Sequence, residues 1–165
     1  TTRCTHCFRS PLTPSGTSSK VLPAHTRGMT LTDTQTATLT IYPWNDAVVD
    51  HDGHPVRSDY VEQFWLGVLG PTATWLLRRL VSGFDYFPDG YELDLVETAQ
   101  AIGTVYKPGQ DSAFTRSVER LVMFGMAQRY AGGLAVRTRV PMLSPRNLQR
   151  LPRYLRDAHV QYVQQ

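Results

Sequence analysis

Two runs of helical periodicity, separated by a stretch that cannot be helix, restrict this chain more than any other feature. Asp94 followed by Glu97 has the form of a capping box, in which the Asp94 carboxylate accepts from the Glu97 amide and the Glu97 side chain reaches back. From there Leu95, Val96, Ala99 and Ile102 recur at helical spacing, and Gly103 supplies a left-handed stop. Lys107-Pro108-Gly109 follows, and because Pro fixes φ while Gly accepts a positive φ, the chain must turn. A second helix then opens at Asp111 or Ser112 and carries Phe114, Val118, Leu121, Val122 and Gly125 on one face. Ahead of the pair, Tyr91 to Leu93 reads as a short strand. Behind it, Ala127 to Arg129 and Leu134 to Val140 read as a hairpin across Ala131-Gly132-Gly133. Strand, helix, turn, helix and hairpin in that order spell a winged helix-turn-helix.

The face of the second helix opposite its apolar stripe carries Thr115, Arg116, Glu119 and Arg120. A helix lying in a major groove presents such side chains to base edges and phosphates, whereas on an isolated domain they form an ordinary solvated face. In the second strand of the hairpin, Arg137 and Arg139 alternate with Val136, Thr138 and Val140, which predicts one basic strand face within reach of a flanking phosphate. Charge is distributed in the same sense. Residues 33 to 100 hold eleven acids against three bases, a balance of −8, and residues 112 to 156 hold nine arginines against Glu119, a balance of +8. That asymmetry is the footprint of a polyanion-binding face, or of two oppositely charged halves that meet within the fold.

The remaining chain frames this segment. Residues 1 to 34 are rich in Thr, Ser, Pro and Arg and too poor in large apolar groups to order themselves, so a flexible tail is expected; Met29 is an alternative natural start. Cys4 and Cys7, with His25, sit at a spacing that can share a metal, but a structural zinc site wants four ligands and there is no second cysteine pair, so no metal is expected. Two cysteines make no disulfide framework, which points to a reducing cytoplasm. Thr36 to Tyr42 alternates as a strand with one buriable face. Trp44 to Pro55, with Asp46, Asp50, His51, Asp52 and His54, has the composition of a metal site but the Asp52-Gly53 signature of a solvated loop.

Ser58 is positioned to cap a helix reaching Leu69, and Pro71 starts another reaching Val81. Both are apolar around much of their circumference, so they belong inside, the second packing behind the helix-turn-helix. Ser144-Pro145 starts a C-terminal helical segment that Pro152 divides, with Leu148, Leu151, Leu155, Ala158, Tyr162 and Val163 as its apolar set. This segment packs on the domain or on a second subunit. His159 within it is expected at the surface. No run approaches the length of a membrane span.

The span from about Pro43 to His159 resembles a group of uncharacterised actinobacterial winged helix-turn-helix proteins. The resemblance is carried by Tyr60-Val61-Glu62-Gln63-Phe64-Trp65-Leu66-Gly67-Val68-Leu69-Gly70-Pro71, Trp75-Leu76-Leu77-Arg78-Arg79-Leu80 and Leu134-Ala135-Val136-Arg137. It implies the fold and DNA binding, and by analogy with winged-helix regulators at large it places Thr115, Arg116, Arg120, Arg137 and Arg139 at contact positions. Lys107 in the turn and Ser112 at the helix start complete the candidate DNA-binding set. Phe114 and Val122-Met123-Phe124 depart from the usual groove face and suit an interface instead.

The expected fold is therefore mainly α with a small antiparallel sheet (α+β). It comprises a flexible tail over residues 1–34, a winged-helix domain over 35–140 with its core at 72–140 and an extra N-terminal strand and helix, and a C-terminal helical segment over 141–165 as a dimerisation element. No phosphate loop, nucleophile beside a histidine or fixed carboxylate pair marks an enzyme or a cofactor site. The expected function is a cytoplasmic transcriptional regulator, homodimeric on double-stranded DNA, with no membrane partner. A winged-helix module that binds another protein is the alternative.

Overall fold

The computed structural model describes residues 8–9, 37–130 and 132–164. The metal-like Cys4, Cys7 and His25 lie outside them. The architecture is α+β, built on a five-stranded sheet in the order β1-β4-β2-β6-β5. Its strands are β1 (Phe8–Arg9), β2 (Thr38–Pro43), β4 (Tyr91–Asp94), β5 (Ala127–Tyr130) and β6 (Gly133–Val136). The sheet is mixed rather than antiparallel. β2 pairs antiparallel with β4, with Ile41 opposite Tyr91, and parallel with β6, with Ile41 opposite Leu134. The central strand thus comes from outside residues 72–140. Phe8–Arg9, expected within the tail, pairs with Glu92 and Leu93 at one edge.

Helices pack against this sheet. α3 (Pro71–Gly83) buries Leu76, Leu77 and Leu80 and packs against α5 (Ala113–Met123), which contributes Phe114 and Leu121. Between them runs α4 (Leu95–Ala101), whose Asp94 cap accepts from the amides of Val96 and Glu97, both at 2.9 Å. Gly103, at φ +73°, ends that helix as the sequence predicts, since the Thr104 amide returns to the Ala99 carbonyl at 2.8 Å. The turn after it closes with Gln110 N–H on Lys107 C=O. Pairing of Tyr130 with Gly133 places Gly133 inside the strand, not at the hairpin tip.

Three segments differ from expectation. Trp44 to Pro55 is no loop: Asp46 caps a helix, α1 (Ala47–Asp52), by accepting from Val48 and Val49 N–H, and β3 (His54–Pro55) pairs with β7 (Arg139–Val140) in a second, two-stranded sheet. The helix before Pro71 opens with a π-helical turn, Val61–Trp65, before α2 (Leu66–Leu69). The Ser58 hydroxyl caps nothing; it is buried without a partner among the described residues, and the Ser58 carbonyl receives Val61 N–H instead. Finally, α6 (Pro145–Leu148) and α7 (Arg153–Val163) pack on the same chain, one of the two placements expected, but His159 is buried, not at the surface. α7 docks on the π-helical turn. No helix among the described residues is long and apolar enough to cross a membrane.

Candidate nucleic-acid interface

α5 begins with a reciprocal cap. Ser112 Oγ accepts from Thr115 N–H at 3.2 Å, and Thr115 Oγ1 accepts from Ser112 N–H at 2.7 Å. Thr115 Oγ1 also donates to the Ser112 carbonyl at 3.0 Å. Both side chains are half-buried and occupied with one another, so as candidate contacts to a partner they are spent on starting the helix. Lys107 lies in the exposed turn before it.

The arginines of α5 face outward. Arg116 forms an exposed ion pair with Asp111 at 2.8 Å, a contact of little energetic weight that a stronger anion displaces. Arg120 donates from Nη2 to the Val68 carbonyl at 2.8 Å, and its guanidinium carbon stands 5.6 Å from the centre of the Phe124 ring. On the same ring, 5.2 Å away, lies Arg150 from the segment after α6. Phe124 therefore links two cations that are thirty positions apart in the chain.

Two grooves flank this aromatic link. Arg116 and Arg120 line one of about 260 Å³ against Gly70, Pro71, Thr72 and Ala73, so the positive end of the α3 dipole forms its far wall. Arg146 and Arg150 line the other, about 330 Å³, with Met123, Phe124 and Asn147. The result is a stripe in the order Arg116, Arg120, Arg150, Arg146. Glu119 turns aside from it to pair with Arg129 of β5.

Arg137 and Arg139 do not form the basic strand face that their alternation predicts. Arg137 is largely buried, donates from Nε to the Gly125 carbonyl at 2.8 Å, pairs with Asp46 at 2.7 Å, and stacks 3.8 Å from the centre of the Trp44 ring. This guanidinium, together with the amides of Val48 and Val49, holds the Asp46 carboxyl below the usual carboxylate range. Arg139 donates twice to the Gly53 carbonyl, from Nε at 3.0 Å and Nη2 at 2.5 Å. The single strand expected from Leu134 to Val140 is broken: β6 ends at Val136, Thr138 lies in a bend, and Arg139 opens β7 in the other sheet, so the two arginines share no strand face and each is turned to its own partners.

Arg146 and Arg150 escaped the sequence reading as contact residues. Their only signal was membership in the +8 segment; nothing local indicates that α6 lies beside the C-terminal end of α5. The carboxylates and histidines of residues 46–54 do not converge either. Asp46 faces Arg137, His51 Nδ1 lies 2.5 Å from the adjacent Asp52, and His54 stacks on Tyr60 at 3.9 Å. No protein-family model, curated protein or solved structure matches the chain.

Proposed function

We propose that the chain is a winged helix-turn-helix protein that binds double-stranded DNA and regulates transcription in the cytoplasm. The observation that carries the reading is the arginine stripe along the exposed side of α5, with Arg116 and Arg120 from the helix and Arg146 and Arg150 beside it. The order α3, β4, α4, α5, β5, β6 supports the fold assignment, with β2 added between β4 and β6. On this reading α5 enters the major groove, and Arg146 and Arg150 hold the flanking phosphates in the place first expected of Arg137 and Arg139. Binding without catalysis suits a surface of guanidinia, since their charge is fixed and their planar forks match phosphate and guanine. The exposed Val160 and Val163, three positions apart on α7, offer an apolar edge for a second copy, as two-fold symmetric sites demand.

One observation favours a protein partner instead. Met123, at the end of α5, is 75% exposed next to the stripe, and an exposed thioether there suits an adaptable protein contact. Selection from random duplexes at moderate salt separates the two readings. Enrichment of a two-fold symmetric site supports DNA binding, and Arg116→Ala or Arg150→Ala should each lower the salt slope by about one unit. Absence of salt-dependent duplex binding transfers the surface to a protein partner.

A further inference from the structure

A separate cleft lies between α3 and the end of α4, lined by Trp75, Arg78, Arg79, Ser82, Ala101 and Ile102, with a volume of about 510 Å³. That size falls among small-molecule sites. Its two arginines have different tasks. Arg78 is committed to the fold: it donates to Glu62 at 2.5 Å and to the carbonyls of Val56 and Ser58 at 3.3 and 3.4 Å, and it stands 5.6 Å from the Trp75 ring. Arg79 is half-buried and makes no hydrogen bond or ion pair among the described residues. A half-buried guanidinium has lost part of its water, and no acid lines the cleft to replace it.

The other walls are suited to a flat apolar body. Trp75 is 59% exposed, an unusual position for the largest apolar side chain on a helix whose neighbours Leu76 and Leu77 are fully buried. Ile102 and Ala101 face it from α4, and Ser82 Oγ, which donates to the Arg78 carbonyl at 2.9 Å, retains lone pairs to accept one further bond.

We propose that this cleft binds a small planar anion, of the aryl carboxylate class, with its ring against Trp75 and its carboxylate held by the Arg79 fork. Arg79 supplies a paired donor geometry that a carboxylate matches with two parallel hydrogen bonds. The cleft involves none of the stripe arginines, so the proposal stands apart from the DNA reading and can be tested without DNA.

The test is calorimetric titration of the intact protein with 1-naphthoate, indole-3-acetate and benzoate, using 1-naphthamide as the uncharged control. Saturable binding of the two-ring carboxylates, at least tenfold tighter than the amide, is expected. Arg79→Gln should lower carboxylate affinity at least tenfold and leave the amide unchanged, Trp75→Ala should weaken both, and Arg116→Ala should alter neither. Thermal melts of each variant separate loss of binding from loss of fold, since both side chains extend into the cleft. Equal affinity for acid and amide, unchanged carboxylate binding in a folded Arg79→Gln protein, or no saturable binding of any carboxylate would each overturn the proposal.

Discussion

The phenol oxygen of Tyr60 stands 2.8 Å from Nε2 of His159, ninety-nine positions later in the chain, and this buried contact fastens α7 to the π-helical turn. The Leu143 amide donates to the same oxygen at 2.9 Å, which leaves the phenol its own proton to give to Nε2 of a neutral His159. His54 stacks on the Tyr60 ring, with Tyr162 and Phe64 completing the cluster.

Acid should loosen this end of the protein. Burial holds His159 below the ordinary histidine value of 6.5, and burial, then the charges of Arg139 and His159, hold His54 below it too. Neither ring has an acid among its described contacts to compensate a proton. Above pH 6.5 folded and unfolded chains are both neutral at these sites. Below it the unfolded chain takes up protons first, so stability falls until the lowered folded values are also passed. Melting temperature measured by circular dichroism should therefore decline as pH drops below 6.5, and His159→Gln, which keeps an acceptor for Tyr60 without a titrating ring, should flatten the decline. An unchanged slope in that variant would remove His159 as a cause, and one unchanged also in a His54→Gln, His159→Gln double variant would remove the cluster.

Arg137 should behave as a structural residue. It joins the turn after α5 to the Asp46 cap of α1 and to the Trp44 ring, so Arg137→Ala should lower the melting temperature markedly and Arg116→Ala hardly at all. Asp46→Asn should destabilise less than Arg137→Ala, because the Gly125 and Trp44 contacts survive. The lowered Asp46 carboxyl contributes stability that is present above its ordinary value of 3.8 and lost as pH falls through the lowered one. Should Arg137→Ala melt like the parent and yet lose duplex affinity, the assignment of this side chain to the fold is wrong.

Gly133 should not tolerate a side chain. A Cβ there would stand 2.2 Å from the Thr40 carbonyl oxygen, inside the β2–β6 seam where both partners are backbone held by pairing. Gly133→Ala should destabilise by about 1–3 kcal/mol or more, as overpacking does. At Gly132 a Cβ meets open space, and only the positive φ of +76° resists it, so Gly132→Ala should cost about 1 kcal/mol. Denaturant unfolding of the two variants, read as midpoint shifts, checks the order.

Local chemistry announced much of the secondary structure and little of the site. Asp94, Gly103, Pro108-Gly109, Ser112 and Ser144-Pro145 each act on backbone within four residues of themselves, and each falls at the boundary its chemistry requires. Asp46 was equally able to cap a helix, but the Asp52-Gly53 turn signal just beyond outweighed it in a segment too short to show periodicity. The parallel seating of β2 on β6 has no local signal, because pairing partners far apart in sequence are chosen by which apolar faces share the core. The arginines illustrate the same limit. Spacing assigned Arg116 and Arg137 equally well to a polar face, and only the distant loops decide that one meets solvent and the other meets Asp46.

The seat of β2 at the centre of the sheet governs the order in which this chain can be assembled. A ribosome delivers β2 before either of its neighbours, so both of its backbone edges stay bare until β4 and then β6 have emerged. The sheet cannot close from its later segments alone, because β4 and β6 are each paired to β2 and not to one another. Until they emerge, β2 carries two open backbone edges, the condition that strand pairing between copies requires.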